Sequence, residues 1–166
     1  MIAVSNTTPL RYLIAIGHQD LLPQLFEKVF VPRAVHEELT EARTPHRVRD
    51  TVLSLPAWYQ IREVSETTQS PFPLILHRGE RHAILLAEQI KADLLLIDDY
   101  VGRTIATARN LPLSGTLGVL ERADSMGFIR DFPSVLDSLK AGGFFVAESL
   151  RQQLILRHKA RRASKI

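Results

Sequence analysis

The stretch Leu94-Leu95-Leu96-Ile97-Asp98-Asp99 decides how the rest of the chain is read. Four apolar residues run directly into two adjacent acids, and Tyr100-Val101-Gly102-Arg103 follow. A continuous apolar run bounded by polar residues is the pattern of a strand buried on both faces, as in a parallel sheet flanked by helices. In such a sheet ligands sit beyond the carboxyl ends of the strands. Asp98 and Asp99 would stand at that edge. Two neighbouring carboxylates repel, and burial adds to the cost, so a cation, an arginine or open water has to meet them.

The flanking segments alternate in character. Ile2–Ser5 reads as a first strand ending at Asn6. Thr7 or Thr8 caps the next helix, with Pro9 in its first turn, Leu10, Leu13 and Ile14 on one face, and Gly17 closing it. Asp20–Phe26 is a short helix, and Lys28–Val31 a second strand stopped by Pro32. In the helix Arg33–Thr40, the residues Ala34, Val35, Glu38 and Leu39 share a stripe, which sets Glu38 on or beside the apolar face and Glu37 further round. His46–Leu55 is a helix with Val48, Val52 and Leu55 inward, Trp58–Val64 an edge strand, and 65–73 a surface loop. Gly79–Ile90 is a helix that is apolar round most of its circumference. Glu80 lies at the amino end of its inward stripe, where the helix dipole favours an acid. After Asp99 come a helix over Val101–Arg109, a short strand at Leu111–Ser114, and a helix over Leu117–Met126 opened by Gly115-Thr116. Helices over Phe132–Lys140 and Glu148–Arg162 complete the chain. The alternation indicates an α/β fold with a mostly parallel sheet and helices on both faces. Right-handed crossovers bring Asn6 and Asp98 to one edge.

Composition narrows the chemistry. The 166 residues contain no cysteine, which excludes disulfides, zinc–thiolate sites and thiol catalysis. The first residues lack the pattern of a signal peptide and no stretch has the length of a membrane span, so a soluble, cytoplasmic protein is expected. The net charge of +3 is unevenly placed. Arg151, Arg157, Lys159, Arg161, Arg162 and Lys165 follow Glu148 with no acid among them. That tail either meets nucleic acid or an acidic partner, or is a solvated helix end.

Four oxygen-bearing side chains converge on this reading: Asn6, Glu38, Glu80 and Asp98, with Asp99 as a fifth. Such a cluster suits Mg²⁺ or Mn²⁺, hard cations that prefer oxygen and retain water. A cation there activates water and neutralises charge building on a phosphate. The histidines show no HExxH spacing, so zinc is not expected. Each residue also has a structural alternative. Asp98, Asp99 and Thr116 could cap helices, Glu80 could be a first-turn acid and Asn6 a turn residue, and Arg103 could pair with the acids.

The stretches VSNTTPL, VPRAVHEEL, GERHAILLA, LLLIDDYVGRTIA and LSGTLGVL, in this order, resemble the PIN-domain family, in particular a PIN-like branch related to VapC-type toxins. The resemblance, which runs up to about Phe145, implies a three-layer α/β/α fold; the chain divides into a PIN-like domain over 1–148 and, from its charge pattern, a basic C-terminal helix over 149–166. The resemblance also implies a metal-dependent ribonuclease in which Glu38, Glu80 and Asp98 are catalytic ligands of Mg²⁺ or Mn²⁺. Thr7 or Thr8 and Thr116 would help hold metal or phosphate, and Arg103 is the first choice to position the RNA backbone. It implies further a homodimer and, for the toxin of a toxin–antitoxin pair, an antitoxin protein. The family has an aspartate after the first strand where this chain has Asn6, which brings an amide oxygen without charge. The alternative is a catalytically weak PIN-like module that binds RNA or a protein.

Overall fold

The computed structural model describes residues 1–66 and 72–164. Part of the expected loop 65–73, and Lys165 of the tail, lie outside these. Met1–Thr116 form one compact unit and Leu117–Ile166 a second.

The first unit is built on a five-stranded sheet in the order β3-β2-β1-β4-β5. Its strands are β1 (Ile2–Ser5), β2 (Lys28–Pro32), β3 (Tyr59–Arg62), β4 (Leu94–Leu96) and β5 (Leu113–Ser114). Every pairing is parallel, with Val4 opposite Phe30 on one side and Leu95 on the other. The expected α/β/α architecture is present. β1 at the centre is almost wholly buried, and so are Leu95, Leu96 and Ile97. The helices are α1 (Thr7–Ala15), α2 (Leu21–Leu25), α3 (Arg33–Thr40), α4 (His46–Leu53), α5 (Arg78–Gln89) and α6 (Tyr100–Ala108). Successive crossovers move one way along the sheet as far as β3 and return through α5 to β4. With right-handed connections this sets α1–α4 on one face and α5 and α6 on the other. α5 packs Ala83, Ile84, Leu86 and Ala87 against Val4, Leu95 and Ile97, as its continuous apolar surface requires.

Two local expectations are corrected. α1 starts at Thr7 with Asn6 at the cap position, and no side chain caps it. Neither Thr7 nor Thr8 is the cap, because the Thr7 hydroxyl turns to Glu38 instead. α4 stops at Leu53, and Leu55 takes a positive φ of 46° and stands exposed rather than inward.

The second unit contains most of α7 (Thr116–Ser125), with α8 (Phe132–Ala141) and α9 (Glu148–Ala163). The tail cations are largely spent inside it. Arg157 meets Glu121 at 2.7 Å, Arg161 meets Asp124 at 2.7 Å, and Arg151 meets Asp137 at 2.6 Å. Arg162 donates to the carbonyl of Arg130. His158 Nδ1 lies 2.6 Å from Asp124 Oδ1, with Phe132 stacked on its ring. Asp124 and His158 are both buried.

Candidate active site

The carboxyl edge of the sheet gathers the predicted residues, each held by a local device. Asp98 follows β4. Its Oδ1 accepts the Thr116 N–H at 2.8 Å and its Oδ2 the Thr116 hydroxyl at 2.6 Å. The backbone of Gly115 allows this approach, since a Cβ there would run into Asp98 Oδ1. Burial pushes the Asp98 carboxyl above the usual carboxylate range, against the two Thr116 hydrogen bonds and the more distant pull of Arg103. Arg103 makes no ion pair with either acid. Its guanidinium donates to the Ile97 carbonyl at 2.9 Å. Asp99 caps α6 by accepting the Gly102 N–H at 2.7 Å.

Glu38 comes from α3, in the stripe position read from the helical spacing, while Glu37 points out to pair with Arg78 at 3.1 Å. The Thr7 hydroxyl donates to Glu38 Oε2. Across from it, the first turn of α5 leaves no room for a side chain at position 79, and a Cβ on Gly79 would meet the Glu38 carboxylate. Glu80 is the third acid. It accepts the His77 N–H at 3.0 Å, closing the amino end of α5. Burial raises its carboxyl above the ordinary range, and the fields of Asp99 and Glu38 push the same way, against the His77 contacts. Glu80 therefore feels both acids.

Asn6 is buried at the end of β1, and its N–H extends the ladder to the Leu96 carbonyl at 2.9 Å. Its side-chain oxygen is buried and accepts no hydrogen bond among the described residues. An orphaned acceptor costs about 1–3 kcal/mol, the kind of deficit that persists at functional sites.

Asn6, Thr7, Thr8, Glu38 and Glu80 line one cavity of about 510 Å³. Asp98, Asp99, Thr116 and Arg103 stand outside its described wall. Arg11, Arg43 and His77 line it too, and the sequence reading did not single them out. A signal for Arg11 was present, since it follows Thr7 by four residues and shares its helix face.

Among the described residues no three His, Asp or Glu side chains form a group that could hold one metal ion. The donors still suit a hard divalent cation. Mg²⁺ is commonly held through one or two carboxylates and retains several waters. Glu38 and Glu80 share the cavity, the Asn6 amide oxygen has an unused acceptor capacity, and a carboxylate that accepts two hydrogen bonds still has lone pairs free.

Comparison with known proteins agrees with the architecture. A family model described as a PIN domain matches residues 2–160. None of the curated proteins matches the chain. Among solved structures, a PilT N-terminus domain protein from the hyperthermophilic archaeon Sulfolobus solfataricus P2 is similar, with a TM-score of 0.53 and 15% identity. The match covers 74% of this chain and 93% of that one, and it is a likeness of fold.

Proposed function

The chain belongs to the PIN-domain family, and from that premise we propose that it is a Mg²⁺- or Mn²⁺-dependent ribonuclease hydrolysing RNA phosphodiesters. The observation that carries the reading is the meeting of Glu38 and Glu80 with the unpartnered Asn6 oxygen on one cavity at the carboxyl edge of a parallel sheet. A bound divalent cation would supply an activated water and neutralise charge building on the phosphate. Glu38 and Glu80 would hold it on the cavity with Asn6 as a neutral ligand, and Asp98 and Asp99, outside the cavity wall, would reach it through the waters such a cation retains. Thr7 fixes the rotamer of Glu38, and Thr116 does the same for Asp98 through two bonds. Both are positioning residues. Thr8, on the cavity wall, is a phosphate contact.

The test is incubation of the pure protein with varied RNAs in Mg²⁺ or Mn²⁺, beside Asp98→Ala and Asn6→Asp. Cleavage lost in the first variant and increased in the second is the expected result. Equal cleavage by wild type and Asp98→Ala would mean a contaminating nuclease or a different site, and would overturn the role given to this cluster. The toxin reading adds a homodimer and an antitoxin protein that covers the cavity. Growth arrest on expression, relieved by such a protein, tests it.

One observation favours a second reading, a catalytically weak module that binds RNA or a protein. Asn6 contributes no charge, and no three acids close on a point among the described residues. Stabilisation of the wild type by millimolar Mn²⁺ in a thermal shift, absent in Asp98→Asn, favours the enzyme. No stabilisation favours the binding module.

A further inference from the structure

The cavity beside Glu38 and Glu80 has a second wall of opposite charge. Arg11 and Arg43 line it, together with Thr8 and Thr44. Arg43 sits in a 2.6 Å pair with Glu41, both partners open to solvent. A pair of that kind contributes about 0–1 kcal/mol and exchanges readily. Arg11 is exposed and makes no ion pair among the described residues. Its place is set by α1. Thr7 and Arg11 lie one turn apart on the same face, with about 5–6 Å between their Cβ atoms. Because the Thr7 hydroxyl grips Glu38, the acidic pole and the Arg11 guanidinium adjoin along one wall. The guanidinium fork matches phosphate oxygens in shape and charge.

We propose that this wall is a nucleotide subsite in which Arg11 holds the phosphate next to the one addressed at Glu38 and Glu80. Arg43, released from Glu41, is the second contact. The strand then crosses the cavity from Glu80 toward the turn between α3 and α4. The inference rests on the ribonuclease reading above. A cavity of about 510 Å³ has the dimensions of a small-molecule site. It takes one nucleotide of a single strand and excludes a duplex. Arg103, turned onto the Ile97 carbonyl outside this wall, is not needed for the grip.

The experiment is binding of a fluorescent single-stranded RNA oligonucleotide to the full chain with Ca²⁺ in place of Mg²⁺, its length checked on a gel after each titration, followed by anisotropy over a range of salt. Wild type is compared with Arg11→Ala, Arg11→Lys and Lys140→Ala, an exposed cation on α8. Arg11→Ala is expected to bind about tenfold more weakly and to lower the logarithmic salt slope by about 0.7, the value of one single-strand phosphate contact. Arg11→Lys keeps the slope, and Lys140→Ala changes neither quantity. Melting temperatures equal to wild type show that the exposed substitutions leave the fold intact. Binding and slope unchanged in Arg11→Ala overturn the subsite, as does an equal loss in Lys140→Ala. A duplex of the same sequence binding as tightly as the single strand overturns it too. If the wild type binds no oligonucleotide, the ribonuclease reading falls with it. If the wild type cleaves RNA while Arg11→Ala binds normally, the subsite falls alone.

Discussion

At Asp98, burial and hydrogen bonding oppose each other, and burial wins: the carboxyl is raised in spite of two bonds from Thr116. A folded-state value above the unfolded one means that the folded chain holds its proton where the unfolded chain has lost it. The stability Asp98 offers is therefore complete below the ordinary carboxylate value of about 3.9 and falls as pH rises through the raised value. Glu80, raised for the same first reason, acts in the same direction. Asp98→Asn keeps an acceptor for the Thr116 N–H and removes the buried charge. Its melting temperature in chelator at pH 7 is expected to exceed that of the wild type, with a flatter dependence across the acid range. Thermal scans from acid to neutral pH measure both. The cation should act in the opposite sense to the bare acids. Stabilisation by Mn²⁺ is expected to weaken as pH drops into the range where Glu80 and Asp98 take up protons, because ligation requires the carboxylate. Asn6→Asp should strengthen that stabilisation at neutral pH, read as a larger thermal shift at the same metal concentration.

Two helix starts hold the acids by leaving out a side chain. α5 brings Gly79 against Glu38, and Gly115, just before α7, lies against Asp98. In both places the atom that an added methyl would meet is a carboxylate at the end of a flexible chain, so the fold can adjust while the acid cannot stay. Gly79→Ala is expected to abolish the Mn²⁺ thermal shift while costing about 1 kcal/mol or less of stability, the low end for added volume. Chelator-treated melting curves beside metal titrations separate the two effects. These elements also show what a sequence carries and what it leaves open. β1, β2 and β4 were legible because strands covered on both faces are uninterrupted apolar runs, and Glu38 was separable from Glu37 because a helix fixes which residues share a stripe. The extent of α4 was not, since Leu55 continues the apolar spacing and only the turn that follows reverses its backbone. The cavity wall was not either. Arg11 and Arg43 belong to different segments, and nothing local states that α1 and the turn after α3 face the same space. Arg103 shows the same limit: its place one turn into the helix after Asp98 was visible, but the Ile97 carbonyl to which its guanidinium donates was not.

On the scale of the whole molecule, the two compact units use charge differently. In the first, carboxylates stand at the sheet edge with their charge only partly answered. In the second, nearly every described cation of α9 has an acid or a carbonyl, centred on buried Asp124 between His158 and Arg161. Removing that acid takes the acceptor from His158 Nδ1 and from Nε and Nη2 of Arg161, which among the described residues keeps only its 3.5 Å contact with Glu121. Asp124→Ala is expected to destabilise the protein by about 3 kcal/mol, and denaturant titration measures it. The order of the sheet carries a consequence in time. β1 and β4 lie side by side at its centre, yet Ile2 and Asp93, bonded at their shared end, are 91 residues apart. A ribosome adding about 5–20 residues per second needs roughly 5–20 s to cover that interval. Until then the central strand lacks one of its two neighbours, and Asn6 and Asp98 cannot share an edge. The sheet edge that carries them is thus completed late, and whatever rests on that edge begins only after β4 has left the exit tunnel.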